Sequence, residues 1–153
     1  MSWRRLEAEA PELARLCRTR LEEPGVALLG TLRRDGSPRI DPVEPHFAGD
    51  ELVLAAMRGT AKSRALRRDP RCVLHSTISG PNTGESDVKL SGRVEPSAAR
   101  AGWWAERPAE EAEVYALQVE EAVAIEWDLA ASRMFVRRWT PAAGETVTER
   151  TYP

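Results

Sequence analysis

Apolar residues in this chain fall in short runs separated by turn-forming residues, and the spacing of the runs changes along its length. Over residues 3–23, Leu6, Leu13, Leu16, Cys17 and Leu21 give a partial 3.6-residue stripe, which predicts helix. Pro11 splits that stretch and suits the first position of a helix running to about Glu23, where its missing N–H has no partner to lose. Pro24-Gly25 stops it. Residues 26–32 are a short apolar run and predict a largely buried strand. Arg33-Arg34-Asp35-Gly36-Ser37 supplies a hairpin turn, since glycine takes positive φ without penalty. The return strand is predicted over 38–47, and Pro42 and Pro45 put it at a sheet edge or a bulge.

A second turn at Ala48-Gly49-Asp50 leads to a third strand over 51–57. Thr60 is the expected N-cap of a helix over about 61–68, which Asp69-Pro70 ends. A fourth strand is predicted over 71–78, a mobile loop over 79–86, and a fifth strand over 87–95, where Val88, Leu90 and Val94 alternate with polar residues. Residues 97–107 have helical composition, with Trp103 and Trp104 side by side, and Glu110, Glu111 and Glu113 read as a solvated acidic patch. One or two strands are expected around 115–127 and a final one over 132–139. No repeat, low-complexity tract or linker divides the chain, so residues 1–153 are read as one domain. The expected fold is mainly β with α: a small barrel-like sheet of six or seven mostly antiparallel strands with flanking helices.

At 153 residues the chain can bury a core without staples, and 42% hydrophobic with 30% charged residues is ordinary for a globular protein. It has no apolar run of about 18 residues, so no membrane span is expected. The N-terminus has a basic start but no apolar stretch after it, which argues against a signal peptide. Cys17 and Cys72 are too few for a disulfide framework and are read as reduced thiols of a cytoplasmic protein.

Net charge is −2, which speaks against a nucleic-acid partner. Its distribution is more telling. Arg58, Lys62, Arg64, Arg67, Arg68 and Arg71 against Asp69 leave that window at +5 and the rest of the chain at −7. A positive island on an acidic chain suits a small anionic ligand better than a long polyanion.

The strongest candidate chemistry lies in that island. The predicted helix at 61–68 begins with unpaired backbone N–H groups and a positive dipole end. Thr60, Lys62, Ser63 and Arg64 surround that end, and basic residues sit poorly at a helix N-terminus unless an anion compensates them. A phosphate is one such anion; the alternative is a solvated surface helix. On the preceding strand, Arg39, Asp41 and Val43 share a face, so that Arg39 could reach a phosphate while Val43 lies under a ring.

Other signals carry less. His75-Ser76 point to opposite faces of a strand and do not make a nucleophile with its base. His46 and His75 share no metal-ligand spacing with a cysteine, so no metal site is expected. The 80–86 loop lacks the Gly-Lys-Ser/Thr ending of a phosphate loop. Trp103 and Trp104 read as packing residues, a ligand wall or a subunit contact. No residue stands out as catalytic, so any enzymatic chemistry would rest on a cofactor.

Leu29-Gly30-Thr31-Leu32, Asp35-Gly36-Ser37-Pro38-Arg39-Ile40, Pro42-Val43, Leu52-Val53-Leu54, Lys62, Leu66, Asp69-Pro70-Arg71 and Leu74 together resemble the pyridoxamine 5′-phosphate oxidase-like split β-barrel family over about residues 24–96. The resemblance implies a split β-barrel, a homodimer, and FMN held in clefts between subunits, with a deazaflavin coenzyme or haem in some relatives. It implies that Arg39, Val43, Met57, Arg58, Thr60, Lys62, Ser63 and Arg64 bind the cofactor. Function is then expected to be hydride transfer between the flavin and a small organic substrate. A non-catalytic flavin- or haem-binding carrier or sensor, or a dimer with an empty cleft, is the alternative. The family's C-terminal Arg and His motif for the substrate phosphate is missing, Arg137-Arg138-Trp139 being the nearest segment, so vitamin B6 oxidation does not carry over.

Overall fold

Helix α1 (Trp3–Glu9) and helix α2 (Pro11–Glu22) meet at Ala10, with Pro11 in the first turn of α2. The computed structural model describes residues 3–152; Met1, Ser2 and Pro153 lie outside it. Trp3, Leu6, Leu13, Cys17 and Leu21 are buried against the sheet, so the partial stripe in the sequence is the packed face. Arg18 lies over the Phe47 ring at 4.2 Å, and Trp3 meets the same ring edge-on at 4.7 Å.

One sheet contains β1 (Ala27–Leu32), β2 (Pro38–Val43), β3 (His46–Ala48), β4 (Glu51–Met57), β5 (Arg71–Ser76), β6 (Asp87–Pro96), β7 (Ala112–Asp128), β8 (Arg133–Thr140) and β9 (Gly144–Thr151). Helix α3 (Ala61–Arg68) connects β4 to β5. The path runs β2-β1-β5-β6-β7-β4-β3, every pair antiparallel. Its two ends, β2 and β3, are consecutive in the chain, separated by Glu44 and Pro45. That short link draws the outer edges together and curls the sheet into an open barrel. Pro42 and Pro45 lack the N–H a continuing ladder would use, so the seam between β2 and β4 stays unzipped.

Strand β7 serves both halves. Residues 112–116 pair with β4 and residues 122–128 with β8, while β6 runs along the opposite edge. A bulge opposite Ser91 and Gly92 bends it between those duties. Gly92 is required there, because a Cβ would stand 2.0 Å from the Gln118 carbonyl oxygen.

Strand β4 is buried on both faces. Leu52 and Leu54 enter the main core with Leu29, Leu74, Leu90 and Leu117, whereas Val53 and Ala55 join a second cluster with Trp104, Ala112 and Ala116. Residues 97–107 cover that outer face.

The sequence reading needs four corrections. The sheet has nine strands among the described residues rather than six or seven, because β9 is an exposed polar edge strand with no apolar alternation to betray it. The single strand predicted over 38–47 breaks at Glu44-Pro45 into β2 and β3. Residues 97–107 form only one short 3-10 turn, Gly102–Trp104. Gly102 there has φ +53°, and a Cβ would stand 2.2 Å from His46 Nε2, so backbone approach to that ring replaces a helix. The fourth strand ends at Ser76 instead of 78. No helix among the described residues is long and apolar enough to cross a membrane.

Candidate functional site

The unzipped seam opens into a cavity of about 520 Å³, within the size range of small-molecule sites. Three elements build its walls. Strand β2 turns Arg39, Asp41 and Val43 inward on a period of two and leaves Ile40 exposed on the other face. Strand β4 contributes Ala55 and Met57 from its outer face, and α3 contributes Ala61 and Lys62. Trp103 and Arg107 close the far side, with the Arg107 guanidinium 5.7 Å from the Trp103 ring centre.

Thr60 caps α3: its hydroxyl oxygen accepts from the Ser63 N–H at 3.2 Å and donates to the Met57 carbonyl at 2.8 Å. The first-turn amides of Ala61 and Lys62 have no intrahelical carbonyl to reach and face the cavity end of the helix. Lys62 Nζ donates to the Pro42 carbonyl at 2.7 Å, tying α3 to β2 across the seam and leaving two ammonium protons for another acceptor. Burial lowers the pKa of Lys62, against the opposing pull of Asp41.

Arg39 donates from Nε and Nη2 to the two oxygens of Asp41 at 2.6 and 2.8 Å. This fork raises the pKa of Arg39 and holds the Asp41 carboxyl below the usual carboxylate range. Arg39, Lys62 and Arg107 against Asp41 and Glu44 leave one surplus positive charge in the lining. The arrangement suits an anion with an apolar body; Asp41 is locked to Arg39, and no cysteine, histidine or tyrosine lines the cavity.

Arg39, Val43, Met57, Thr60 and Lys62 therefore come together around one cavity, whereas Arg58, Ser63 and Arg64 do not. Ser63 is fully buried and its hydroxyl donates to Glu113 Oε2 at 2.6 Å, because the third helical position turns toward the barrel rather than toward Lys62. Arg58 donates to the Glu110 carbonyl at 2.7 Å and to Glu113 at 3.2 Å, on a separate cavity. Arg64 bonds back to the Gly59 carbonyl and lies on a shallow surface with Arg34, Arg67 and Arg68, where a small pocket outside the seam also brings it beside Arg39 and Ala61.

Glu113 corrects the picture of a solvated acidic patch. Its side chain is 10% exposed and is bonded by Ser63, Tyr115, Arg58 and Arg67. Burial opposes its ionisation, but those hydrogen bonds and charges outweigh it and hold its pKa low. Trp103, which the sequence leaves open as a packing residue, a ligand wall or a subunit contact, lines this cavity, and Arg107 lines it with no signal in the sequence to mark it. Trp104 is a packing residue, fully buried with its Nε1 donating to the Ala99 carbonyl. His75 and Ser76 are both engaged with backbone. Arg137 pairs with Glu126 and Glu145, and Arg138 with Glu121, so the C-terminal basic segment is committed to the sheet surface.

An open antiparallel barrel with flanking helices, its seam lined by cations and apolar side chains, is a split β-barrel with an open cleft. The sequence profile of the pyridoxamine 5′-phosphate oxidase family matches residues 13–133, and the chain belongs to that family. No curated protein sequence matches it. Solved structures share the fold. PhzG of Burkholderia lata, in complex with tetrahydrophenazine-1-carboxylic acid, aligns at TM-score 0.66 and 14% identity over 97% of this chain and 92% of its own. A pyridoxamine 5′-phosphate oxidase-related, FMN-binding protein of Nostoc punctiforme aligns at 0.63 and 10% identity, over 94% and 96%. A haem-binding protein of Mycobacterium smegmatis aligns at 0.61 and 16% identity, over 93% and 89%.

Proposed function

We propose that the seam cavity binds FMN, or a deazaflavin with the same phosphorylated tail, and that the protein is an oxidoreductase passing a hydride between that cofactor and a small organic substrate. The observation that carries this reading is the convergence of Lys62, the free first-turn amides of α3 and Arg39 beside the apolar wall of Val43, Ala55, Met57 and Trp103. Such a set matches a phosphate at one end and a flat ring at the other. The Nostoc relative's FMN binding supports the same assignment. When bound, a flavin supplies two-electron chemistry that the side chains do not. The chain's own part is to hold the phosphate through Lys62 and Arg39, to keep water from one ring face with Val43 and Trp103, and to set the charge around the ring with Arg107.

The relative that binds haem raises a second reading, a haem carrier. The donor set disfavours it. Met57 is the cavity's one soft ligand, and neither His46 nor His75 lines it.

We further propose that a second copy of the chain covers the open cavity. Leu28, Ile40 and Val73 stand exposed on the outer face of β1, β2 and β5, brought together by the pairing of Gly30 with both Ile40 and Val73. This apolar strip continues to the cavity rim through Val26 and Pro42. A cytoplasmic setting suits Cys17 and Cys72, free thiols whose pKa burial pushes up to about 12. Nucleic acid and membrane are not among the proposed partners.

The test is anaerobic. Protein titrated with FMN is mixed with reduced nicotinamide dinucleotide or a reduced deazaflavin, and the flavin absorption band is followed. Bleaching, with reoxidation by an added organic acceptor, supports the oxidoreductase; bound flavin that no donor reduces leaves a carrier; failure to bind FMN overturns the reading.

A further inference from the structure

A second cavity, of about 740 Å³, lies between α3, the end of β6 and the start of β7, and shares no lining residue with the seam cavity. Its walls are apolar, from Leu66, Pro70, Val94, Pro96, Ala112 and Val114. Its polar side is a built network. Glu113, nearly buried, accepts from the Ser63 hydroxyl at 2.6 Å and the Tyr115 hydroxyl at 2.9 Å through Oε2, and from Arg58 and Arg67 at 3.2 and 3.3 Å through Oε1. Two guanidiniums thus share one carboxylate oxygen. Arg67 spends only Nη1 on that bond, and its side chain is 62% exposed at the mouth. Arg100 adds a third positive charge to the lining, its own donors tied to the Ala105 and Arg107 carbonyls.

We infer that this cavity is a second ligand site, taking an amphipathic monocarboxylate whose acid group binds the free edge of Arg67 beside Arg58 and whose hydrocarbon or aryl body lies along the Leu66–Val94–Val114 wall. Four observations select that class. The lining has Arg58, Arg67 and Arg100 against Glu113 alone, a surplus that calls for an anion. The planar guanidinium edge left on Arg67 matches a carboxylate's two oxygens. A more highly charged phosphate would face Glu113, which its hydrogen bonds keep ionised. Much of the remaining surface is hydrocarbon, so a small inorganic anion would leave most of the cavity unfilled.

The probe is octanoate, titrated calorimetrically into the full-length protein, with inorganic phosphate as the comparison. Saturable binding of octanoate is expected, with phosphate binding far weaker. Arg67→Gln should weaken it about tenfold or more, the loss expected for one charge-assisted bond. Ala98→Trp, an exposed lining position on the loop, should block it while the thermal unfolding midpoint stays near that of the unmodified protein. Octanoate binding that neither substitution changes would place it elsewhere and overturn the inference. Phosphate binding as tightly as octanoate, and weakened by Arg67→Gln, would also overturn it. So would no octanoate binding together with a smaller oligomer in Ala98→Trp, which would make the cavity a subunit contact.

Discussion

Lys62 reaches across the seam of the barrel and donates from Nζ to the Pro42 carbonyl at 2.7 Å. One bond thereby joins the helix that follows β4 to the strand at the opposite edge of the sheet. It also holds the ammonium beside Asp41 and Arg39, where a ligand phosphate would meet it. A residue that lines the cleft thus also ties its walls together.

Lys62→Ala should weaken FMN binding by about tenfold to a hundredfold, the loss of one charge-assisted hydrogen bond of roughly 1.5–3 kcal/mol. Arg64→Ala should leave it unchanged, since that guanidinium bonds Gly59 outside the cavity. Flavin fluorescence titration of the two variants separates these roles. Equal losses would place the phosphate on the outer side of α3.

Asp41 competes with any anion for the Arg39 fork. Asp41→Asn should tighten FMN binding, by about fivefold for roughly 1 kcal/mol of relieved repulsion. The same titration reads it, and a weaker complex would mean that the pair positions Arg39 for the ligand.

Ser63 is buried and bonded to Glu113, outside the lining of the seam cavity. Ser63→Ala should cost about 1–3 kcal/mol, because it removes a buried donor from Glu113, and should lower the unfolding midpoint by several degrees. FMN affinity should not change. A variant of normal stability with impaired binding would restore Ser63 to the phosphate site.

Acid should act through Asp69. Hydrogen bonds from the Arg71 side chain and backbone bring its pKa from the usual 3.8 to about 2. A carboxyl depressed on folding stabilises the native state above its unfolded value, and that contribution is lost as pH falls from about 4 toward about 2. Denaturant midpoints of the protein and of Asp69→Asn should differ at neutral pH and converge over that range. A gap that persists at the acid end would rule Asp69 out.

Much of the fold was legible because its signals are local. The apolar run over 26–32, the Asp35-Gly36 turn and the Thr60 cap each act within a few residues, and β1, β2 and α3 stand where those signals put them. The site was half legible for the same reason: the period of two on β2 aligns Arg39, Asp41 and Val43. What failed depended on distant partners. Ser63 turns away from the seam cavity because Glu113, on a strand distant in sequence, accepts its hydroxyl. Glu113 is buried where Arg58 from the turn after β4, Ser63 and Arg67 from α3, and Tyr115 meet it. Residues 97–107 lose their helix to the contact between Gly102 and His46, which the fold alone creates.

The most direct test of the seam as a phosphate-holding flavin cleft is a parallel titration of the purified protein with FMN and riboflavin, followed by flavin fluorescence. These ligands share the ring and differ by the phosphate. Saturable FMN binding, with riboflavin at least about tenfold weaker, is the predicted result. Riboflavin binding as tightly as FMN, or neither binding, would contradict it.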